Sequence, residues 1–343
     1  MKFFPKLCAF LFTFCFFMGS VFANEFAVGE VLQVHEDDLE VELLGKKIKV
    51  ENNENFLTTL AQETSEGEKM VMGKFEMGRG KVWQIYDKYR SPHLLALVLL
   101  FFILIFLIGG KRGLSSLLGL AISISIILFG IIPFIASGLN PLLVALVGGF
   151  AIAGVTIFIA HGFSRNSFLA FLATIFTLLV AALFACFAIS FTKIFGTGSE
   201  ESFYFLSGEF AFIDLRGLLF TGILLGTLGV LDDITVAQIA SISEIQKANP
   251  KLSPRELFVS AMKIGREHIA SMINTLALAY VGVSLPLILL LFLDSSKPLW
   301  VILNSEFVAE EIVRVVVGSS ALILAAPIAS FLGAYFLRKR ANS

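Results

Sequence analysis

The 343-residue chain is 57% hydrophobic and 15% charged, with a mean hydropathy of +0.86, far more apolar than an ordinary soluble domain. Its formal net charge of −1 excludes a chain-wide electrostatic footprint for nucleic acid, so charge acts here through local placement. Three cysteines, Cys8, Cys15 and Cys186, two of them in the amino-terminal apolar run, allow neither a disulfide framework nor a thiolate metal site.

Residues 1–23 carry Lys2 and Lys6, an apolar stretch from Leu7 to Met18, and Val21-Phe22-Ala23 with small residues where a signal peptidase reads. Cleavage after Ala23 is expected, the alternative being an uncleaved anchor helix with the same downstream topology. Residues 24–90 then turn polar, with apolar residues alternating in short runs, and predict a small exported all-β domain. The expected strands are Gly29–His35, Leu39–Leu44, Lys46–Glu51, Lys69–Glu76 and Lys81–Asp87, separated by Asp37-Asp38, Gly45 and Gly78-Arg79-Gly80. A five-stranded barrel of the OB or SH3 kind fits this spacing.

Residues 91–343 hold recurrent apolar runs long enough to cross a bilayer as helices. Seven spans are expected: Leu94–Ile108, Leu114–Ile135, Leu142–Ala160, Phe168–Phe191, Ile213–Leu231, Ile269–Leu293 and Val308–Phe336. The fold class is thus an all-α transmembrane bundle with a small extracytoplasmic β domain. Leu299–Leu303 is too short to span and reads as interfacial, anchored by Trp300. Loop charge sets the orientation, because cytoplasmic loops hold the excess of Lys and Arg. With the β domain outside, the inner segments hold Lys111 and Arg112, then Arg165, then Lys247, Lys251, Arg255, Lys263 and Arg266, and finally Arg338, Lys339 and Arg340. The outer connections are nearly uncharged or acidic, with Glu200, Glu201 and Glu209 in one and Asp294, Glu306, Glu310 and Glu311 in another. The expected location is the cytoplasmic membrane, with the carboxyl terminus inside.

No Walker loop, H-E-x-x-H or G-x-S-x-G is present, so neither ATP-driven pumping by this chain nor catalysis is expected, and no cofactor. The chemistry-bearing stretch is Gly222 to Ser284. Gly222, Gly226, Gly229 and Asp233 fall at i, i+4, i+7 and i+11, one helix face on which glycines permit close backbone approach. Asp232 lies about 100° away with Thr235 beside it. An ionisable residue within a span costs several kcal/mol unless paired or wetted, and is a functional candidate by default. The plain alternative is that both aspartates mark the inner end of the helix.

The helix is expected to continue to Asn249-Pro250. Ser253, Pro254 and Glu256 then form a capping box that starts the next helix. Equal counts from a turn near Lys251 set Asp232 and Asp233 level with Ile269 and Ala270, beside Glu267 and His268, with Asn274 a turn further. Asp232, Asp233, Glu267, His268 and Asn274 are therefore the candidate ion or solute site, and Gly222, Gly226 and Gly229 the packing face. The rival readings are an interfacial role for His268 and interhelical hydrogen bonding for Asn274 and Thr275. His161, at the end of the third span, reads as interfacial.

At these residues the chain resembles the YibE/YibF-like family of bacterial membrane proteins. GTLGVLDDITVAQ (Gly226 to Gln238) and GREHIASMINTLALAYVGVSLPL (Gly265 to Leu287) carry the resemblance, with Tyr89-Arg90-Ser91-Pro92 and Gly109-Gly110-Lys111-Arg112-Gly113. What the resemblance implies is a multi-pass membrane protein, often suspected to be a permease, with no substrate and no assigned site residues. Together these readings predict a secondary transporter or channel for an ion or small solute. The alternative is an envelope binding or assembly module that uses the β domain. Expected partners are the lipid bilayer, the ion or solute, and a second copy or another membrane subunit, with no nucleic acid.

Overall fold

The computed structural model describes residues 26–35, 38–51, 65–77, 80–208, 210–293 and 296–337. The expected signal segment, Asp37, Gly78-Arg79, Glu209, Asp294 and Arg338 to Arg340 lie outside them. The chain divides into two compact units, Met1–Ile108 and Gly109–Ser343.

The first unit holds five strands, β1 (Phe26–Val34), β2 (Asp38–Leu43), β3 (Lys46–Glu51), β4 (Lys69–Met77) and β5 (Gly80–Lys88). All five expected strands are present, with ends shifted by a few residues. They form one antiparallel sheet in the order β3-β2-β1-β4-β5. Its edge strands β3 and β5 return into contact, so the sheet curls on itself. The alternation visible in the sequence fills its core, because side chains two apart share a face. Leu39, Val41 and Leu43 of β2 meet Val31, Val50, Met70, Met72 and Ile85. Helix α1 begins at Ser91, directly after β5, and the Tyr89 N–H donates to the Lys69 carbonyl at 2.9 Å. Arg90 pairs with Asp87 at 2.7 Å at this junction, and holds that carboxyl below the usual carboxylate range.

Helix α1 (Ser91–Ile126) loses helical dihedrals at Gly110, whose φ of 53° and ψ of −138° suit a residue without a Cβ. Its second segment continues through a π-helical stretch, Ile127–Ile131, into α2 (Ile132–Ala136). Then come α3 (Pro141–His161), α4 (Arg165–Phe191), the short α5 (Glu200–Ser207), α6 (Leu215–Ala248), α7 (Pro254–Val283), α8 (Leu285–Leu293), the short α9 (Leu299–Leu303) and α10 (Glu306–Phe336). The starts follow local chemistry, because a side-chain oxygen at the cap satisfies a free amide of the first turn. Asn140 accepts from Leu142 N, Ser164 from Ser167 N and Asp214 from Arg216 N. Ser253 and Glu256 form the expected capping box, and α6 ends at Asn249 as expected.

Among the described residues six helices are long and apolar enough to cross a membrane. The sixth expected span, Ile269–Leu293, is instead broken, since α7 and α8 meet at Ser284 with a bend of 63°. The candidate spans among the described residues are therefore six, or seven if the bent pair counts as one. At the centre α4, α6 and α10 pack on one another through small residues, among them Ala173, Ala181, Ala185, Ala321, Ala325 and Ala329. Without a hydrophobic force between helices in lipid, such small side chains let backbones approach and gain dispersion. Helix α3 packs on α4 and α6, and α7 on α6 and α10.

Candidate functional site

Asp232 lies in the middle third of α6, and 16 residues separate it from Arg216 at the helix start, about 24 Å along the axis at roughly 1.5 Å per residue. It points toward α3 and α4. The Thr156 hydroxyl of α3 donates to Asp232 Oδ2, while Asp232 Oδ1 is buried without a hydrogen-bond partner. Below it, Thr174 of α4 and Thr235 of α6, both fully buried, lie with their hydroxyls 2.8 Å apart. The Thr235 hydroxyl also reaches the Asp232 main-chain carbonyl at 3.3 Å. A hydroxyl has one proton to give, so a consistent chain runs from Thr174 to Thr235 to that carbonyl.

Thr156 has a choice. Its oxygen is 3.0 Å from the Ile152 carbonyl as well as within reach of Asp232. It can donate to an ionised carboxylate, or donate to Ile152 and accept from a protonated carboxyl. The geometry therefore accommodates both protonation states of Asp232, as a group that exchanges a proton or a cation requires. Among the described residues no Lys, Arg or His forms an ion pair with Asp232 or Asp233.

Both aspartates open onto a cavity of about 410 Å³ between the second segment of α1, α3 and α6. Its polar lining includes Ser116, Ser123, Thr156 and His161. Thr156 and His161 lie about one and a half turns apart on α3, and both line this cavity. Thr156 carried no signal in the sequence, since a lone threonine in an apolar span usually bonds its own helix.

The expected grouping with α7 is not what forms. The hairpin register is as counted: Gln238, 13 residues before Lys251, donates through Nε2 to Ala261 O at 2.8 Å and lies against Gly265, 14 residues after it. The face differs. Helix α7 docks on the Gln238 side of α6, whereas Asp232 turns about 120° from it toward α3 and α4. Glu267 and Asn274 are exposed and His268 is half-buried, and none of the three lines the cavity or is bonded to either aspartate. Asn274 does not brace the aspartates.

The glycine stripe also behaves differently. A Cβ built at Gly222 or Gly229 meets nothing within 4 Å, and one at Gly226 meets the Tyr280 hydroxyl at 2.5 Å, not a backbone. The three glycines and Asp233 are all exposed. Two of the three glycines are open groove wall: Gly229 lines the cavity of the aspartates and Gly222 a second cavity toward the start of α6, while Gly226 between them faces Tyr280 of α7. Among the described residues no group of three or more His, Cys, Asp or Glu could hold a metal ion.

A comparison with curated proteins and with solved structures found no match. The YibE/F-like protein family matches residues 97–339, which include α6, α7 and the whole of the cavity around Asp232. That match spans well over half of the chain and both motifs on which the resemblance rested, so the chain belongs to the YibE/F-like family.

Proposed function

We propose that this membrane protein is a secondary transporter or channel for a small cation or a proton-coupled solute, with Asp232 as its binding carboxylate. The observation that carries this reading is the buried Asp232 Oδ1, with no hydrogen-bond partner and no ion pair among the described residues, at the wall of a cavity inside a run of membrane-length helices. An anchor has no use for a charge of this kind, which costs several kcal/mol in a bilayer unless a solute, water or a proton compensates it. Asp233 adds a second, exposed carboxylate to the same cavity wall, which His161 also lines. The reading includes no catalytic step and no cofactor.

Orientation follows from loop charge. The β domain stands outside the cytoplasmic membrane after signal export, α7 and α8 together make a seventh crossing, and the carboxyl terminus is inside. The cavity of the aspartates then belongs to the inner half of the bundle. The test is flux into proteoliposomes across a panel of monovalent and divalent cations and across a pH gradient. Asp232→Asn keeps the size and removes the charge, and it is expected to abolish flux in a protein that still inserts. Full flux in Asp232→Asn would refute the assignment.

A second reading has its own support. On the outer face of the sheet Phe26, Phe75 and Tyr86 are exposed and pack on one another, with Phe26 and Tyr86 5.3 Å apart edge to face. Solvent-facing aromatics suit recognition of an envelope component. In that case Tyr86→Asp removes the function while Asp232→Asn leaves it intact.

A further inference from the structure

The second cavity, about 350 Å³, lies between the π-helical stretch and the first half of α6, with Glu310 and Arg314 of α10 in its wall. The Arg314 Nε is buried without a hydrogen-bond partner. The loop before α5 forms its rim, tied to α10 by two carboxylates: Phe195 N donates to Glu306 Oε1 at 2.6 Å and Gly198 N to Glu310 Oε1 at 2.8 Å. This cavity and the cavity of the aspartates are both lined by the helix that runs from α1 through the π stretch and by α6. They share two lining residues, Ile127 and Leu225.

Ile127 is also where α-helical pairing gives way to the π stretch Ile127–Ile131. A π turn inserts one residue and is marginally stable, so it is found mostly where a helix must change. Reverting it to α geometry turns every side chain on one flank by about 100°. The lower end of the stretch is fixed, because Ile131 fills the notch at Gly148 of α3, where a Cβ would come within 2.5 Å of it. The flank free to turn is the one that begins with Ile127. Opposite it, Gly222 and Gly229 leave the α6 side clear on both sides of Leu225.

We propose that the two cavities are the outer and inner vestibules of one solute path between α1 and α6, separated in this conformation at Ile127 and Leu225, which line both, and joined by rearrangement of the π stretch. The proposal rests on the transport reading. A pair of branched apolar side chains at a constriction expels water and blocks an ion without filling the pore, as hydrophobic gates do. The Glu310 and Arg314 wall keeps the outer vestibule wet, and Asp232 receives the solute beyond the gate.

The test uses the full chain without its native cysteines, in sealed vesicles of one orientation, with a charged membrane-impermeant thiol reagent as the probe. Gly222→Cys is expected to react from the β-domain side only and Gly229→Cys from the opposite side only. Adding Leu225→Ser, or Ile127→Ser as the second variant, is expected to abolish this sidedness, so that Gly229→Cys reacts from both sides. The proposal is overturned if both cysteines react from the same side in the unopened protein. Reaction with a lipid-soluble maleimide alone, or sidedness unchanged by both serine variants, overturns it as well. No substrate is needed, so this result stands or falls apart from the Asp232→Asn flux measurement.

Discussion

Gln238 is the polar pin of the helical core, and its contribution can be worked out. It is 2% exposed, and its Nε2 donates at 2.8 Å both to the Ala261 carbonyl of α7 and to the Ser330 hydroxyl of α10, so one amide joins three helices. Interhelical hydrogen bonds in membrane bundles average roughly 0.6 kcal/mol each, because the unfolded chain in the membrane also finds partners. Gln238→Leu, which keeps the volume and removes both bonds, is therefore expected to lower stability by about 1 kcal/mol. Gly265 approaches the same amide, and a Cβ there would lie 3.1 Å from both Nε2 and Oε1. Gly265→Ala then forces the amide off its bonds, at an overpacking cost of about 1–3 kcal/mol, partly offset by up to about 1 kcal/mol of helix propensity. In a Gln238→Ala background the same Gly265→Ala has room and should cost nothing. The measurement is a double-mutant cycle by reversible unfolding in mixed micelles, where residues in contact show non-additive costs. Strict additivity, or a Gln238→Leu protein as stable as wild type, would refute the pin.

The remaining predictions concern topology, the groove and the domain junction. Leu44→Cys, in the exposed β2–β3 turn, is expected to be labelled from outside intact cells and Ser253→Cys only after permeabilisation; the reverse pattern would invert the orientation. Gly226→Leu should lower stability by about 1–3 kcal/mol by displacing Tyr280. Gly222→Ala and Gly229→Ala, which displace nothing, should cost no stability and gain up to about 1 kcal/mol of helix propensity in the same unfolding assay. At the junction, the Arg90 guanidinium lowers the Asp87 pKa, so the pair contributes stability above the ordinary carboxylate pKa and loses it as pH falls through the lowered one. Being exposed, the pair contributes less than about 1 kcal/mol. An Asp87 carboxyl resonance that titrates at the ordinary carboxylate value would show that the pair does not form.

The sequence alone determined whatever depends on periodicity and local chemistry. Alternation at Leu39, Val41 and Leu43 marked a strand whose apolar side had to be buried. The Ser253 to Glu256 box marked where α7 starts, and the turn near Lys251 marked the hairpin, in which Gln238, 13 residues before it, lies against Gly265, 14 after. The place of Asp232 along α6, well inside the helix, was legible for the same reason, since it follows from rise per residue. What only the tertiary structure decided is which face of α6 meets which helix. A span that is apolar nearly all round gives no orienting moment, so the glycine stripe read as a packing face turned out to be groove wall at Gly222 and Gly229, and Asp233 lies exposed beside it. Asp232 found its hydroxyl partner on Thr156, 76 residues earlier, rather than on the neighbouring leg of its own hairpin. Gln238 marks another side of α6: its two hydrogen bonds go to α7 and α10, while the carboxylate faces α3 and α4.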